Sequence, residues 1–148
     1  MIKSLIASLA LSTLCIPQVQ AHTFNEVDLL EHVKSLGGRV YVDSAYCKEN
    51  RVYGMQRGGV IHICKENHNG NDEELKDTIR HEVWHIVQMC NNGPILKDPI
   101  TAITFAHKHG WTGKGYTPQQ WHHEAEAHHA AATGSPEDIK TMLDRYCL

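Results

Sequence analysis

One helix in the middle of the chain leaves the sequence little freedom to form anything else there. Leu75, Ile79, Val83 and Ile86 recur at three- and four-residue spacing. Asp72, Glu73 and Glu74 precede them, where the positive end of a helix dipole favours acids. Asn92-Gly93-Pro94 follows and stops the run, so the spacing predicts a helix from about 72 to 91. Inside it stands His81-Glu82-Val83-Trp84-His85. On a helix His81 and His85 lie one turn apart and point the same way. Two imidazoles so placed can hold one Zn²⁺, and Glu82 can act as general base on a water beside the ion. The chain has twelve histidines, so the H-E-x-x-H pattern carries less information than its surroundings do. Those surroundings are favourable: no charge and no proline interrupts Val83, Trp84, Ile86 or Val87.

A catalytic zinc site takes a third protein ligand and leaves a fourth position for water. The stretch Trp121-His122-His123-Glu124-Ala125-Glu126-Ala127-His128-His129 supplies candidates, in a helix predicted over 118–133 between Thr117-Pro118 and Gly134. Trp121, Glu124, Ala125, His128, Ala131 and Ala132 share one face, apolar except for Glu124 and His128. A carboxylate on such a face needs a partner, so Glu124 is the expected third ligand. His122, Glu126, His129 and Thr133 fall on a more polar face, which makes Glu126 the second choice. His128, one turn after Glu124, is a further candidate, as a ligand or as a group that holds one.

These residues resemble the zincin metallopeptidases of the glutamate-liganded kind, in a small exported bacterial form. Thr78, Ile79, Val83, Trp84, Ile86 and Val87 fit the extended zincin pattern around the two histidines. Glu124-Ala125-Glu126-Ala127-His128 is similar to the E-x-E-A-D of the ligand helix, with His128 in place of the aspartate. His85-Ile86-Val87-Gln88 is similar to the H-x-x-Q continuation of small bacterial members. Gln88 and Asn91 stand where metzincins have Gly and His, and the G-T-x-x-D of aspartate-liganded zincins is missing. The resemblance covers 78–88 and 121–132. It implies zinc on His81, His85 and Glu124, Glu82 as the base, and a peptide or protein substrate. It also implies a strand ahead of the metal helix that takes an extended peptide along its edge, and the predicted strand 60–64 has that place in the chain order. Tyr116, His107 and His109 precede the ligand helix and are the candidates for stabilising the oxyanion.

The rest of the chain frames this centre. Met1-Ile2-Lys3, an apolar run from Leu5 to Ile16, Pro17 and Val19-Gln20-Ala21 together read as a secretory signal peptide over 1–21. The expected location is periplasmic or secreted, with one domain over 22–148 and no membrane contact after cleavage. Cys15 leaves with the signal; Cys47, Cys64, Cys90 and Cys147 remain, an even number that points to two disulfides in an exported domain. Three pairings exist, and Cys47–Cys64 with Cys90–Cys147 is favoured. The first would close a local β segment, and the second would tie the metal helix to the C-terminus. A net charge of −3 without a basic stripe argues against a nucleic-acid partner, and a monomer is expected.

Asn25 caps a predicted helix over 25–36, with Val27, Leu30 and Val33 on one side. Strands are predicted over 39–43, 51–56 and 60–64, the last two joined at Arg57-Gly58-Gly59, and 43–50 reads as a loop. Asp98-Pro99 opens a helix to about 109, and Ser135-Pro136 opens a last one carrying Ile139, Met142, Leu143 and Tyr146. The expected fold is therefore α+β, zincin-like: an N-terminal helix, a small antiparallel sheet, the metal helix and three following helices. Two other uses fit these features: a non-catalytic periplasmic metal-binding protein, and a zincin-like binding module. Glu82 separates them from an enzyme, because a metal store has no need of a carboxylate between its ligands.

Overall fold

A computed structural model describes residues 22–148; the predicted signal peptide, 1–21, lies outside the described residues. In chain order the elements are α1 (Glu26–Ser35), β1 (Arg39–Val42), α2 (Ala45–Asn50), β2 (Gly54–Arg57), β3 (Val60–Ile63), a 3-10 turn (Lys65–His68), α3 (Asp72–Cys90), α4 (Pro99–Lys108), α5 (Trp121–Thr133) and α6 (Pro136–Cys147). The fold is α+β, as expected.

Local chemistry sets the helix ends. Asn25 Oδ1 accepts from Val27 N at 2.8 Å while Asp28 accepts from Asn25 N at 2.9 Å, a reciprocal cap for α1. Ser135 and Asp138 repeat the device at α6. Asn71 accepts from Glu74 N at the start of α3, and Asp98 accepts from Thr101 N at the start of α4, with Pro99 in the first turn. Helix α5 starts at Trp121, three residues later than the Pro118 start expected.

The sheet differs from the expected antiparallel arrangement. Its strand order is β1-β3-β2, with β1 parallel to β3 and β2 antiparallel to β3. The segment 43–50, expected as a loop, contains α2, and the crossover through α2 carries the chain past the sheet before β2 begins. Arg51 caps α2 in the left-handed region, which delays β2 to Gly54. The hairpin then returns β3 between the other two strands. Gly58 and Gly59 both have positive φ, 57° and 77°, as a two-residue type I′ turn requires. Consequently β3 is the central strand and β2 an edge.

Alternation along β3 turns Ile61 and Ile63 inward. They meet Ile79, Val83, Ile86 and Val87 of α3, Leu29, Leu30 and Val33 of α1, and Ile139 and Leu143 of α6 in one core. Ala102, Ala106 and Ala125, all fully buried with Trp111, let α4 and α5 pack closely beside it. The disulfides are Cys47–Cys64 and Cys90–Cys147, the favoured pairing; the second joins the last residues of α3 and α6. Among the described residues no helix is long and apolar enough to cross a membrane.

Candidate metal centre

Helix α3 turns its apolar stripe to the core and its His81–His85 edge toward the start of α5. Three donor atoms converge there. His81 Nε2 and His85 Nε2 are 3.1 Å apart, and Glu124 Oε2 lies 3.3 Å from the first and 3.6 Å from the second. A tetrahedral ion with bonds of about 2.0–2.1 Å separates its ligand atoms by about 3.4 Å. The three spacings bracket that value, and two nitrogens with one carboxylate oxygen are a usual donor set for such an ion. Among the described residues this is the group of three or more side chains able to hold a metal.

The electrostatics follow from burial and crowding. Burial works to raise the Glu124 carboxyl, but its hydrogen bonds to His81 and His85 and their charges outweigh that and hold it well below the usual carboxylate range. Burial lowers His81, and Glu124 only partly offsets it. Partial burial works to lower His85 as well, yet it ends raised, because Glu124, Glu82 and Gln88 all favour its protonated form. Glu82 is pushed up to about 7, by burial first; the charge of His85 opposes this and that of Glu124 adds to it. A carboxyl near neutrality can both take and return a proton at physiological pH.

The centre lies in a cleft bordered by β2. On one side is a cavity of about 570 Å³ lined by Tyr53, Gly54, Thr78, Glu82, Tyr116 and His128 among others. On the other, a smaller hollow is lined by Gln56, His85, Gln88, Met89 and His123. Cys64 N donates to Tyr53 O at 2.9 Å, so Tyr53, Met55 and Arg57 turn their backbone groups toward β3. Gly54 and Gln56 then turn theirs to the open edge, over the centre. The edge facing the cleft is thus β2, whereas the expected strand, 60–64, is paired on both sides and has no edge to offer.

The other expected candidates separate clearly. Glu126 is not in the group; it is 1% exposed and faces away from the trio, accepting from Trp84 Nε1 (3.1 Å), Gln88 Nε2 (2.7 Å) and Leu96 N (2.5 Å). On the face expected to be more polar, Glu126 itself is therefore buried, between α3 and the segment leading to α4. His128 lines the cleft, but its Nε2 pairs with the His109 carbonyl at 3.1 Å. His107 packs at a tilt against Trp111 and His109 against His129, both outside the cleft lining. Tyr116 does line it; its hydroxyl is pushed up to about 12, by burial first and then by the negative charges of Glu124 and Glu82.

Sequence reasoning missed Gly54. A Cβ there would come within 2.8 Å of Glu82 Cγ, Glu82 Oε1 and Thr78 Cγ2, so only glycine lets β2 approach Glu82 this closely. The available signal was a glycine inside a strand pattern. Gln88 was noted only by resemblance; its position three residues after His85, on the same face, was the physical clue.

Fold and site together define a small α+β domain with a metal-capable His-His-Glu group held by two helices. The chain belongs to a family described as a domain of unknown function (DUF8637), which matches residues 11–148. No curated protein matches the chain, and no solved structure does.

Proposed function

We propose that the protein is an exported zinc-dependent metallopeptidase of the zincin type, hydrolysing peptide bonds in peptide or protein substrates. The observation that carries this reading is the placement of Glu82. It stands beside the His81-His85-Glu124 trio and under the open edge of β2. A metal store would gain nothing from a buried carboxyl at that point.

The two histidines and Glu124 would hold zinc. When bound, the ion supplies Lewis-acid polarisation of the scissile carbonyl and makes nearby water more acidic. The chain's own residues do the rest. The backbone groups of Gly54 and the carbonyl of Gln56 pair with an extended substrate laid along β2, as in strand addition, while the Gln56 N–H faces Glu82. Glu82 takes the proton from the attacking water and returns it to the leaving amine. Tyr116, kept protonated by its surroundings, is a donor for the developing oxyanion. The two disulfides agree with an oxidising, extracytoplasmic location.

The test is Glu82→Gln, assayed for zinc content and for cleavage of an unbiased peptide library. The expected result is one zinc per chain in both proteins and cleavage by the wild type alone. Equal cleavage by the variant would remove the mechanism, and a wild type that binds zinc and cleaves nothing would favour a binding role.

A further inference from the structure

Behind the metal ligands lies the carboxylate of Glu126, 1% exposed and supplied by Trp84, Gln88 and Leu96. It is buried, it takes three hydrogen bonds, and one of its donors touches His85. We infer that Gln88 and Glu126 form a positioning pair that fixes which nitrogen of His85 faces the metal centre. The inference rests on the metal-centre reading and is independent of peptide cleavage.

Gln88 is 2% exposed, so its amide cannot turn to water for partners. Its Nε2 lies 2.7 Å from Glu126 Oε2 and 3.0 Å from the His123 carbonyl, two groups that only accept. A flipped amide would aim an oxygen at two oxygens, so this orientation is the one the network permits. Gln88 Oε1 must then face His85 Nδ1, which it does at 2.7 Å. An amide oxygen only accepts, so Nδ1 carries the hydrogen. As a metal ligand His85 is neutral, and a neutral imidazole has a single N–H. His85 Nε2 is therefore left with a lone pair, directed at the point that His81 Nε2 and Glu124 Oε2 share.

Glu126 makes this setting rigid. Oε2 accepts from Trp84 and Gln88, four residues apart on α3, and Oε1 accepts from Leu96 N in the connection to α4. Rotating the carboxylate would leave buried donors without partners, so this orientation is held. Glu124 and Glu126 sit two positions apart on α5, so they point to opposite sides of that helix. One carboxylate faces the metal centre, and the other reaches the back of the histidine opposite. The E-x-E pattern, which left two candidate ligands from sequence alone, thus holds two different jobs.

The first experiment needs no variant. Metal-free, ¹⁵N-labelled protein at alkaline pH is examined by long-range ¹H–¹⁵N correlations of the histidine rings. His85 is expected in the Nδ1–H form; finding it in the Nε2–H form would overturn the inference. The second uses Gln88→Met, which keeps the length and removes the amide. His85 should then lose its Nδ1–H preference, and zinc affinity in chelator competition should fall about 10–100-fold. Glu126→Gln places an N–H₂ among three donors and should shift both readouts the same way. A folded Gln88→Met protein with unchanged tautomer and unchanged zinc affinity would overturn the pairing. A wild type with the stated tautomer and tight zinc binding, yet no cleavage, would support the pair while removing the peptidase.

Discussion

Glu82 shows how much stability one buried carboxyl can cost. Its carboxyl is pushed to about 7 in the folded protein against an ordinary 4.5, chiefly by burial. The folded chain therefore binds this proton more tightly than the unfolded chain does. Stability of the metal-free protein should fall as pH rises from about 4.5 to about 7 on this account, and level off above. Glutamine has no charge to bury. Glu82→Gln should therefore be more stable than the wild type at pH 8 by about 1–3 kcal/mol, with little gain at pH 5. Denaturant titrations of the chelated proteins at both pH values check this; a gap that does not widen with pH would show that burial does not strain Glu82. At this scale the sequence was informative about identity and silent about surroundings. His81, Glu82, His85 and Glu124 could be named from spacing and polarity. The direction taken by Glu126 could not, because its partners Trp84, Gln88 and Leu96 come from a separate helix and the connection after it.

Among the elements, α3 was legible and the sheet was only partly so. Helix periodicity, acids at one end and Asn-Gly-Pro at the other are local signals, and they define α3 to within a residue. Strand order is not a local property. The segment 43–50 is too short and too polar to reveal α2 by periodicity, and α2 is what sends β2 to the outer edge and leaves β3 in the centre. That topology makes β2, not β3, the edge that borders the cleft, and sets Gly54 against Glu82. Gly54→Ala should fold and keep its zinc, since no ligand is touched. Its Cβ must, however, displace Glu82 and Thr78 or lift β2 from α3. We expect kcat/KM on peptides to drop about 10–100-fold through misplacement of the base and the substrate strand. Zinc stoichiometry with initial rates on one cleaved peptide decides it, and a variant as active as the wild type would detach β2 from the mechanism.

The whole molecule is organised so that both helices of the centre are braced from outside. Helix α5 is held through Glu126 and its alanine-lined contact with α4; α3 is held through the core and, at its last residue, by Cys90–Cys147. That disulfide spans 57 residues and encloses α4, α5 and most of α6. By chain entropy such a cross-link stabilises by about 4 kcal/mol, against about 3 kcal/mol for Cys47–Cys64, which spans 17. Both pairings were within reach of the sequence: Cys47 and Cys64 flank the predicted hairpin, and Cys90 stands at the end of the predicted metal helix while Cys147 stands by the C-terminus. Metal binding should brace the same two helices independently, since the ligands of α3 and α5 meet only in the folded chain. Replacing Cys90 and Cys147 by alanine should thus cost about 2–4 kcal/mol in metal-free protein. Zinc at about 1,000 times its Kd should return about 4 kcal/mol, to variant and wild type alike. Denaturant midpoints of both proteins, with chelator and with zinc, measure all four states. If zinc stabilised the wild type and not the variant, the disulfide would be holding the ligands in place rather than bracing the fold around them.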